Sequence, residues 1–160
     1  LAAEIPGVKV YATDISLEAI TVARSNVIRH CLQDKIILIR GDLFDPLPEN
    51  VDIIVSNPPY IPTHTVGKLA REIHEYEPRV ALDGDLDGMG VIRRLLAKAP
   101  DCLKTGGDLF VEIGHGQADK VRFMAQKWWY GNNIHFHQDL SGIDRVLAIS
   151  NIPTTSTATL

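Results

Sequence analysis

Cysteine is nearly absent: Cys31 and Cys102 are the only two in the chain. They cannot supply a zinc framework or a disulfide scaffold, because small stapled domains need several bridges and structural zinc needs four ligands. Each falls within a helical pattern, so both read as reduced, buried thiols of an intracellular protein. Long apolar runs are missing too. Stretches such as Ile36 to Ile39 fall far short of the roughly 20 residues that a membrane span needs, and no basic-then-apolar leader opens the chain. These absences predict a cytoplasmic protein. Nor is positive charge in excess: 16 basic against 20 acidic residues give a net charge of −4, which argues against a surface built to grip phosphate backbones. No internal repeat is visible. What is present is 160 residues with 45% apolar side chains, enough for one domain that buries about 70% of the surface its unfolded chain would expose.

Patterning along the chain predicts alternating strands and helices. Val8 to Ala12, after the Pro6-Gly7 punctuation, alternates like a strand. Ser16 is an N-cap candidate, and Leu17, Ile20, Ala23, Val27 and Cys31 form the stripe of a helix packed on one side. Ile36 to Ile39 and Val51 to Val55 are continuous apolar runs, too short for helices and predicted as strands buried on both faces of a parallel sheet. From Asn57 to Gly90 the chain is rich in Pro, Gly and charge; this candidate functional loop holds a short helix around Lys68 to His74. Ile92, Leu95, Leu96, Ala99 and Leu103 mark a helix over Met89 to Leu103, stopped by Lys104 to Gly107. Asp108 to Ile113 is the next strand and Gln117 to Trp128 a helix, and Ile134 to His137 and Arg145 to Ile149 close the domain around the Ser141-Gly142 turn. The tail from Pro153, rich in Thr and Ser, is predicted to be disordered. The fold class that follows is α/β, a mostly parallel sheet with an antiparallel strand among its last two.

In such sheets ligands bind at the carboxyl ends of the strands. Three segments belong there: Asp14-Ile15, Gly41-Asp42-Leu43-Phe44 and Asn57-Pro58-Pro59-Tyr60. An acidic side chain after a strand of a Rossmann-type sheet accepts hydrogen bonds from ribose hydroxyls, so Asp14 reads equally as a nucleoside holder or as a helix cap. Asp42 reads as an acceptor for an adenine amine, with Leu43 or Phe44 against the ring, or as a turn residue. Asn-Pro-Pro-Tyr is the sharper signal. Its prolines fix two φ angles near about −65° and remove two backbone donors, which makes a rigid loop. Asn57 Oδ1 and the Pro58 carbonyl can together accept both hydrogens of an incoming NH2 group, and Tyr60 offers a flat face to a planar amide or base. A turn leaving a buried strand is the plainer reading of Asn-Pro, yet it explains neither the second proline nor the aromatic.

A strand followed by Asn-Pro-Pro-Tyr resembles the motif of S-adenosylmethionine-dependent methyltransferases that act on planar amines. Further segments extend the resemblance to the HemK-type, protein-(glutamine-N5) methyltransferases: Glu75-Tyr76-Glu77-Pro78, Ala81-Leu82-Asp83-Gly84 and Asp87-Gly88, then Glu112-Ile113-Gly114 with Gln117, then Asp139-Leu140-Ser141-Gly142 with Asp144-Arg145. It runs from about the first strand to Ile149. The resemblance implies a Rossmann-like class I methyltransferase domain over residues 1–152. It implies S-adenosyl-L-methionine as cofactor, held by Asp14, Ile15, Asp42, Leu43 and Asn57, with catalysis by Asn57, Pro58, Pro59 and Tyr60 and no metal. The implied partner is a class 1 peptide chain release factor, methylated on the glutamine of its Gly-Gly-Gln motif. The family's cofactor domain begins with a strand and an Asp-x-Gly-x-Gly loop that have no counterpart in this sequence, and residue 1 is Leu. The expectation is therefore a catalytic domain truncated at its N-terminus.

Other features have plainer readings. Gly114-His115-Gly116 lacks a third glycine at the dinucleotide spacing, since residue 119 is Asp, and reads as a tight strand-to-helix turn. His135 and His137 alternate along a strand with no third ligand spaced to join them, and read as surface residues. Trp128, Trp129 and Tyr130 read as core packing at the end of the last helix, and Glu77 and Arg79 as a brace on the loop or a surface ion pair. Two further enzyme readings compete. One is a nucleic-acid amine methyltransferase working on a flipped base, which the net charge and the acidic stretch from Glu72 to Asp87 oppose; the other is a glutamine methyltransferase of a ribosomal protein. A reading from a different class is that the chain as given is a non-catalytic fragment.

Overall fold

Parallel pairing of β1 (Val10–Asp14) with β2 (Ile36–Arg40) organises the first of two units, Leu1–Glu49, in a computed structural model that describes residues 1–150. The tail expected to be disordered lies outside the described residues. Helix α1 (Leu17–Arg29) makes the crossover between the two strands. It starts where the sequence places it: the Ala19 amide donates to Ser16 Oγ at 3.1 Å, satisfying one of the orphan donors of the first turn. Ile20 is its buried residue, while Leu17 at the start of the predicted stripe is 51% exposed.

The other end of α1 corrects the expectation for Cys31. The Leu32 amide donates to the Val27 carbonyl and the Cys31 amide to the Ile28 carbonyl, both at 3.0 Å, and Cys31 has φ of 54°. This is a Schellman-type helix end with cysteine in the left-handed position that glycine usually takes. The side chain leaves the apolar stripe and is exposed, and Cys102, the last residue of its own helix, is only half-buried. The expectation of two buried thiols is therefore overturned.

The second unit, from Asn50, carries a four-stranded sheet in the order β3 (Val51–Ser56), β4 (Leu103–Glu112), β6 (Asp144–Ser150), β5 (Asn133–Gln138). Strands β3 and β4 are parallel, and β6 is antiparallel to both of its neighbours. Three strands of this sheet thus run one way, and β6, the last among the described residues, runs the other. Helices α5 (Gly90–Cys102) and α6 (Ala118–Trp128) bury Ile92, Leu95, Leu96 and Ala99 on the first and Val121 and Ala125 on the second. These meet Leu109, Val111, Leu147 and Ile149 of the sheet in a core where each large side chain contributes about 1.5–3 kcal/mol. Trp129 joins this core, its indole N–H donating to the Leu96 carbonyl at 3.1 Å, whereas Tyr130 is 89% exposed, contrary to the packing expected of it. His135 and His137 are exposed on β5.

Three strand expectations change. Strand β1 begins two residues later than the alternation suggested. The apolar runs are not buried on both faces: Ile54 is buried, but its neighbours Ile53 and Val55 are 51% and 60% exposed, and Ile37 of β2 is 43% exposed. The buried positions of β3 and β4 share the face that carries α5 and α6. Lys104 to Gly107 does not end α5 and wait for a new strand; it is part of β4. Val51 lies opposite Leu103 but Ile53 lies opposite Asp108, so the extra residues are taken up as a bulge with Gly106 at φ of 80°. Between β3 and α5 the long loop folds into three one-turn helices, α2 (Thr63–Val66), α3 (Arg71–His74) and α4 (Arg79–Leu82), of which only α3 overlaps the helix predicted there. Among the described residues no helix is long and apolar enough to cross a membrane.

Candidate active site

The first unit gathers Asp14, Ile15, Asp42 and Leu43 at one rim. Asp14 is opposite Arg40 in the parallel register, and the Gly41 amide donates to the Asp14 carbonyl at 2.9 Å, so the chain leaves both strands side by side. Gly41 is required by close approach, since a Cβ there would come within 2.6 Å of the Pro46 ring. The loop then turns through Asp42 and Leu43, the latter at φ of 48°, with the Asp45 amide on the Asp42 carbonyl at 3.1 Å. Asp14 is exposed and its Oδ1 accepts from the Ser16 amide at 2.8 Å. Ser16 and not Asp14 caps α1, so Asp14 serves the helix only through the amide of the cap residue, and a carboxylate offers about four acceptor sites.

The second unit positions Asn57, Pro58, Pro59 and Tyr60 directly after β3. Asn57 is exposed, Pro58 is buried, and Pro59 and Tyr60 are half-buried. The Tyr60 hydroxyl donates to Glu112 Oε1 at 2.9 Å, which stops the ring from rotating away. Burial first, and then the Glu112 carboxylate, push the phenol above its usual pKa, so it is a neutral donor at physiological pH. Gly114 lies against the ring: a Cβ there would stand 3.1 Å from Tyr60 Cδ2.

Beyond Tyr60 the loop is braced from a second side. The Ile61 amide donates to the Leu82 carbonyl at 3.0 Å and the Gly84 amide to the Ile61 carbonyl at 2.8 Å, forming an isolated parallel bridge. Asp83 holds this crossing together. It accepts from Thr63 Oγ1 at 2.6 Å, from the Asp85 amide at 3.0 Å and from Arg79 Nε at 3.1 Å, and these donors, Thr63 foremost, keep its carboxyl below the usual range. Arg79 thus pairs with Asp83 and not with Glu77, the partner first considered. Further on, Asp87 ties its own turn to the start of α5, accepting from the Met89 amide and from Arg93 Nη2. Gly84 and Gly88 let this segment touch the motif: a Cβ on Gly84 would lie 2.8 Å from the Pro59 carbonyl oxygen and from Tyr60 Cα, and one on Gly88 would overlap the Tyr60 carbonyl oxygen.

Residues 1–80 match the family described as methyltransferase small domain. The chain belongs to that family. It is 43% identical over 148 residues to a release factor glutamine methyltransferase of Geobacter sulfurreducens, a match that covers 92% of this chain and 51% of the relative. The chain spans about half the length of the curated release factor glutamine methyltransferases it matches, and under a third of the bifunctional methyltransferases. Among solved structures, the release factor-specific protein-(glutamine-N5) methyltransferase of Alicyclobacillus acidocaldarius is 26% identical with a TM-score of 0.52, covering 95% of this chain and 85% of that one. A methyltransferase of Pyrococcus furiosus, 18% identical with a TM-score of 0.66 over 94% of this chain and 66% of its own, shares the fold. The resemblance read from the Asn57 motif and its companions is borne out, and so is the α/β methyltransferase fold.

Within this methyltransferase domain, the motif itself was found by sequence and its supports were not. Glu112, Gln117, Gly84 and Gly88 were visible only as parts of a resemblance. Gln117, expected as the first residue of the helix, is its N-cap residue and closes the Gly114 turn with its amide on the Gly114 carbonyl at 3.2 Å. Its side chain also crosses to the motif, donating from Nε2 to the Tyr60 carbonyl at 2.9 Å.

Proposed function

We propose that this domain transfers a methyl group from S-adenosyl-L-methionine to the side-chain amide nitrogen of glutamine in the Gly-Gly-Gln motif of class 1 peptide chain release factors. The observation that carries the reading is an exposed Asn57 ahead of a buried, donor-free Pro58 in a loop fixed at Tyr60. The names and 36–43% identity of the curated relatives support the substrate. The first-unit rim fits the cofactor by its donor set. An exposed Asp14 with acceptor sites to spare suits a ribose diol, and Asp42 and Leu43 beside it suit an adenine amine and ring. Bound there, S-adenosyl-L-methionine supplies an electrophilic methyl group on a sulfonium.

The residues of this chain have to make a poor nucleophile react. An amide nitrogen shares its lone pair with the carbonyl, and complete decoupling by twisting costs about 18–20 kcal/mol. Orientation is the cheaper route. Asn57 Oδ1 and the Pro58 carbonyl accept the two amide hydrogens and fix the NH2 group, while Tyr60 supports its plane; holding reacting atoms this way is worth up to about 7–11 kcal/mol. As the nitrogen takes the methyl it becomes cationic, and the same two oxygens stabilise the charge. Its proton then leaves to water, so no strong base is required.

The test is a methyl-transfer assay with labelled cofactor on release factor, ribosomal protein and nucleic acid. Release factor is the expected acceptor, and Asn57→Ala lowers its methylation by about 10²–10³, far more than it lowers cofactor affinity. Labelling of nucleic acid alone, or wild-type turnover in the Asn57 variant, would defeat the proposal.

A further inference from the structure

Gln117 stands out as a buried polar side chain, 9% exposed, in a core otherwise apolar among the described residues. Its amide is fully engaged. Oε1 accepts from the Gly114 amide at 2.8 Å, and Nε2 donates one hydrogen to the Tyr60 carbonyl at 2.9 Å and the other to the Gly88 carbonyl at 3.2 Å. Three segments far apart in sequence meet on one planar group: the motif loop, the Asp83–Gly88 brace and the turn after β4. The site is shaped for that group, because a Cβ on Gly114 would lie 2.9 Å from Oε1 and one on Gly88 would lie 3.0 Å from Nε2. The Gln117 backbone is itself fixed at the start of α6, where its carbonyl accepts from the Val121 amide at 2.9 Å.

We propose that Gln117 is a positioning residue for methyl transfer, aligning the Pro58 carbonyl and Asn57 Oδ1 through Tyr60; this rests on the function proposed above. The Tyr60 carbonyl is two peptide units from that of Pro58, and between them the Pro59 ring removes one of the few soft torsions. Anchoring the Tyr60 carbonyl therefore anchors the acceptor pair. A fully satisfied buried amide is suited to this, since any movement of the loop leaves a buried donor or acceptor unpaired. Gln117 touches neither substrate nor cofactor in this assignment.

The experiment compares wild type with Gln117→Met, which keeps the length and volume but none of the hydrogen bonds, and Gln117→Glu, which keeps the acceptor for Gly114 but cannot donate when ionised. Turnover on a Gly-Gly-Gln peptide, KM for that peptide and cofactor affinity are measured on each. Amide exchange is followed at Ile61 and Gly90, which flank the pinned carbonyls, and at Leu147 in the core. Both variants are expected to lose at least about tenfold in kcat, with cofactor affinity unchanged, faster exchange at Ile61 and Gly90, and unchanged protection at Leu147. Wild-type kcat, or wild-type protection at Ile61 and Gly90, overturns the assignment. Loss of Leu147 protection in both variants marks a fold-wide role and overturns it too. If the wild-type chain does not methylate the peptide, the proposed function fails, and the exchange pattern alone decides whether Gln117 holds the loop.

Discussion

Replacing Gly84 by alanine places a methyl group where the motif loop and the 84–88 segment meet backbone to backbone. Its Cβ would stand 2.8 Å from the Pro59 carbonyl oxygen, 2.8 Å from Tyr60 Cα and 2.8 Å from the Gly88 carbonyl oxygen. None of these atoms can swing aside as a side chain does. Ordinary carbon–oxygen contacts lie at about 3.3–3.6 Å, so the motif loop and the 84–88 segment must separate by roughly 0.5–0.8 Å. Two short hydrogen bonds resist this, from the Gly84 amide to Ile61 and from the Gly90 amide to Gly84, both at 2.8 Å. Overpacking of this kind costs about 1–3 kcal/mol, which for a domain of this size lowers the melting temperature by roughly 2–12 °C. Because a misplacement of about 1 Å in a reacting pair can cost about a hundredfold, turnover should fall by roughly tenfold or more. Gly67→Ala is the control: a Cβ there meets nothing within 4 Å and its backbone is already helical, so melting and turnover should stay at or slightly above wild type. Thermal melting and labelled methyl transfer on the three proteins decide the matter. If Gly84→Ala matched Gly67→Ala in both measurements, contact with the 84–88 segment would not be what shapes the motif loop.

Other variants probe separate parts. Ser16→Ala removes the cap of α1 and should lower stability by about 1 kcal/mol in urea unfolding, leaving peptide KM unaltered. Tyr60→Phe removes the bond to Glu112 and should cost about 0.5–1.5 kcal/mol of stability. The raised phenol pKa also means that the stability it contributes is complete below about pH 10 and declines as pH climbs through its folded value, a slope absent from the Phe variant. Asp139→Asn tests the opposite sign. The Ile143 amide, Arg145 and the Ser141 amide depress the Asp139 carboxyl. Its contribution is present above the ordinary aspartate pKa of about 3.9 and vanishes as pH falls through the lowered value. The melting difference between wild type and variant should therefore be greatest near neutrality and close in strong acid; a constant difference would refute the linkage.

What could be read from sequence follows the range of each signal. Ser16, the stripe of α5 and the β5–β6 pair were legible because caps, helical spacing and turn residues act over a few residues. Cys31 misled because a left-handed helix end is usually marked by glycine, and here a cysteine takes it. Lys104 to Gly107 looks like punctuation from within the chain; only pairing with β3 shows it to be a bulge in one continuous strand. An apolar run such as Val51 to Val55 reveals a strand but not how many layers cover it. The same division runs through the site. Asn57 to Tyr60 announces its rigidity locally, through two prolines. Gln117 reaches Tyr60 and Gly88 across 57 and 29 positions of sequence, and no periodicity records such a contact. Glycines at 84, 88 and 114 were the available sign, since each leaves out a side chain beside the same loop.

The order of strands also sets a timetable. Strand β6, the last of the described strands to leave the ribosome, occupies the slot between β4 and β5, so until Asp144–Ser150 emerges β5 has no ladder to join and β4 has β3 on one edge only. Its arrival sets Val146 opposite Glu112 and draws the Ile113 amide onto the Arg145 carbonyl at 2.9 Å, at the strand end where Tyr60 finds its anchor. A nascent chain stalled before Asp144 would carry the whole Asn57 motif yet show two open strand edges to its neighbours. The covering of these edges and the Ile113–Arg145 bond beside the Tyr60 anchor thus arrive with the same seven residues.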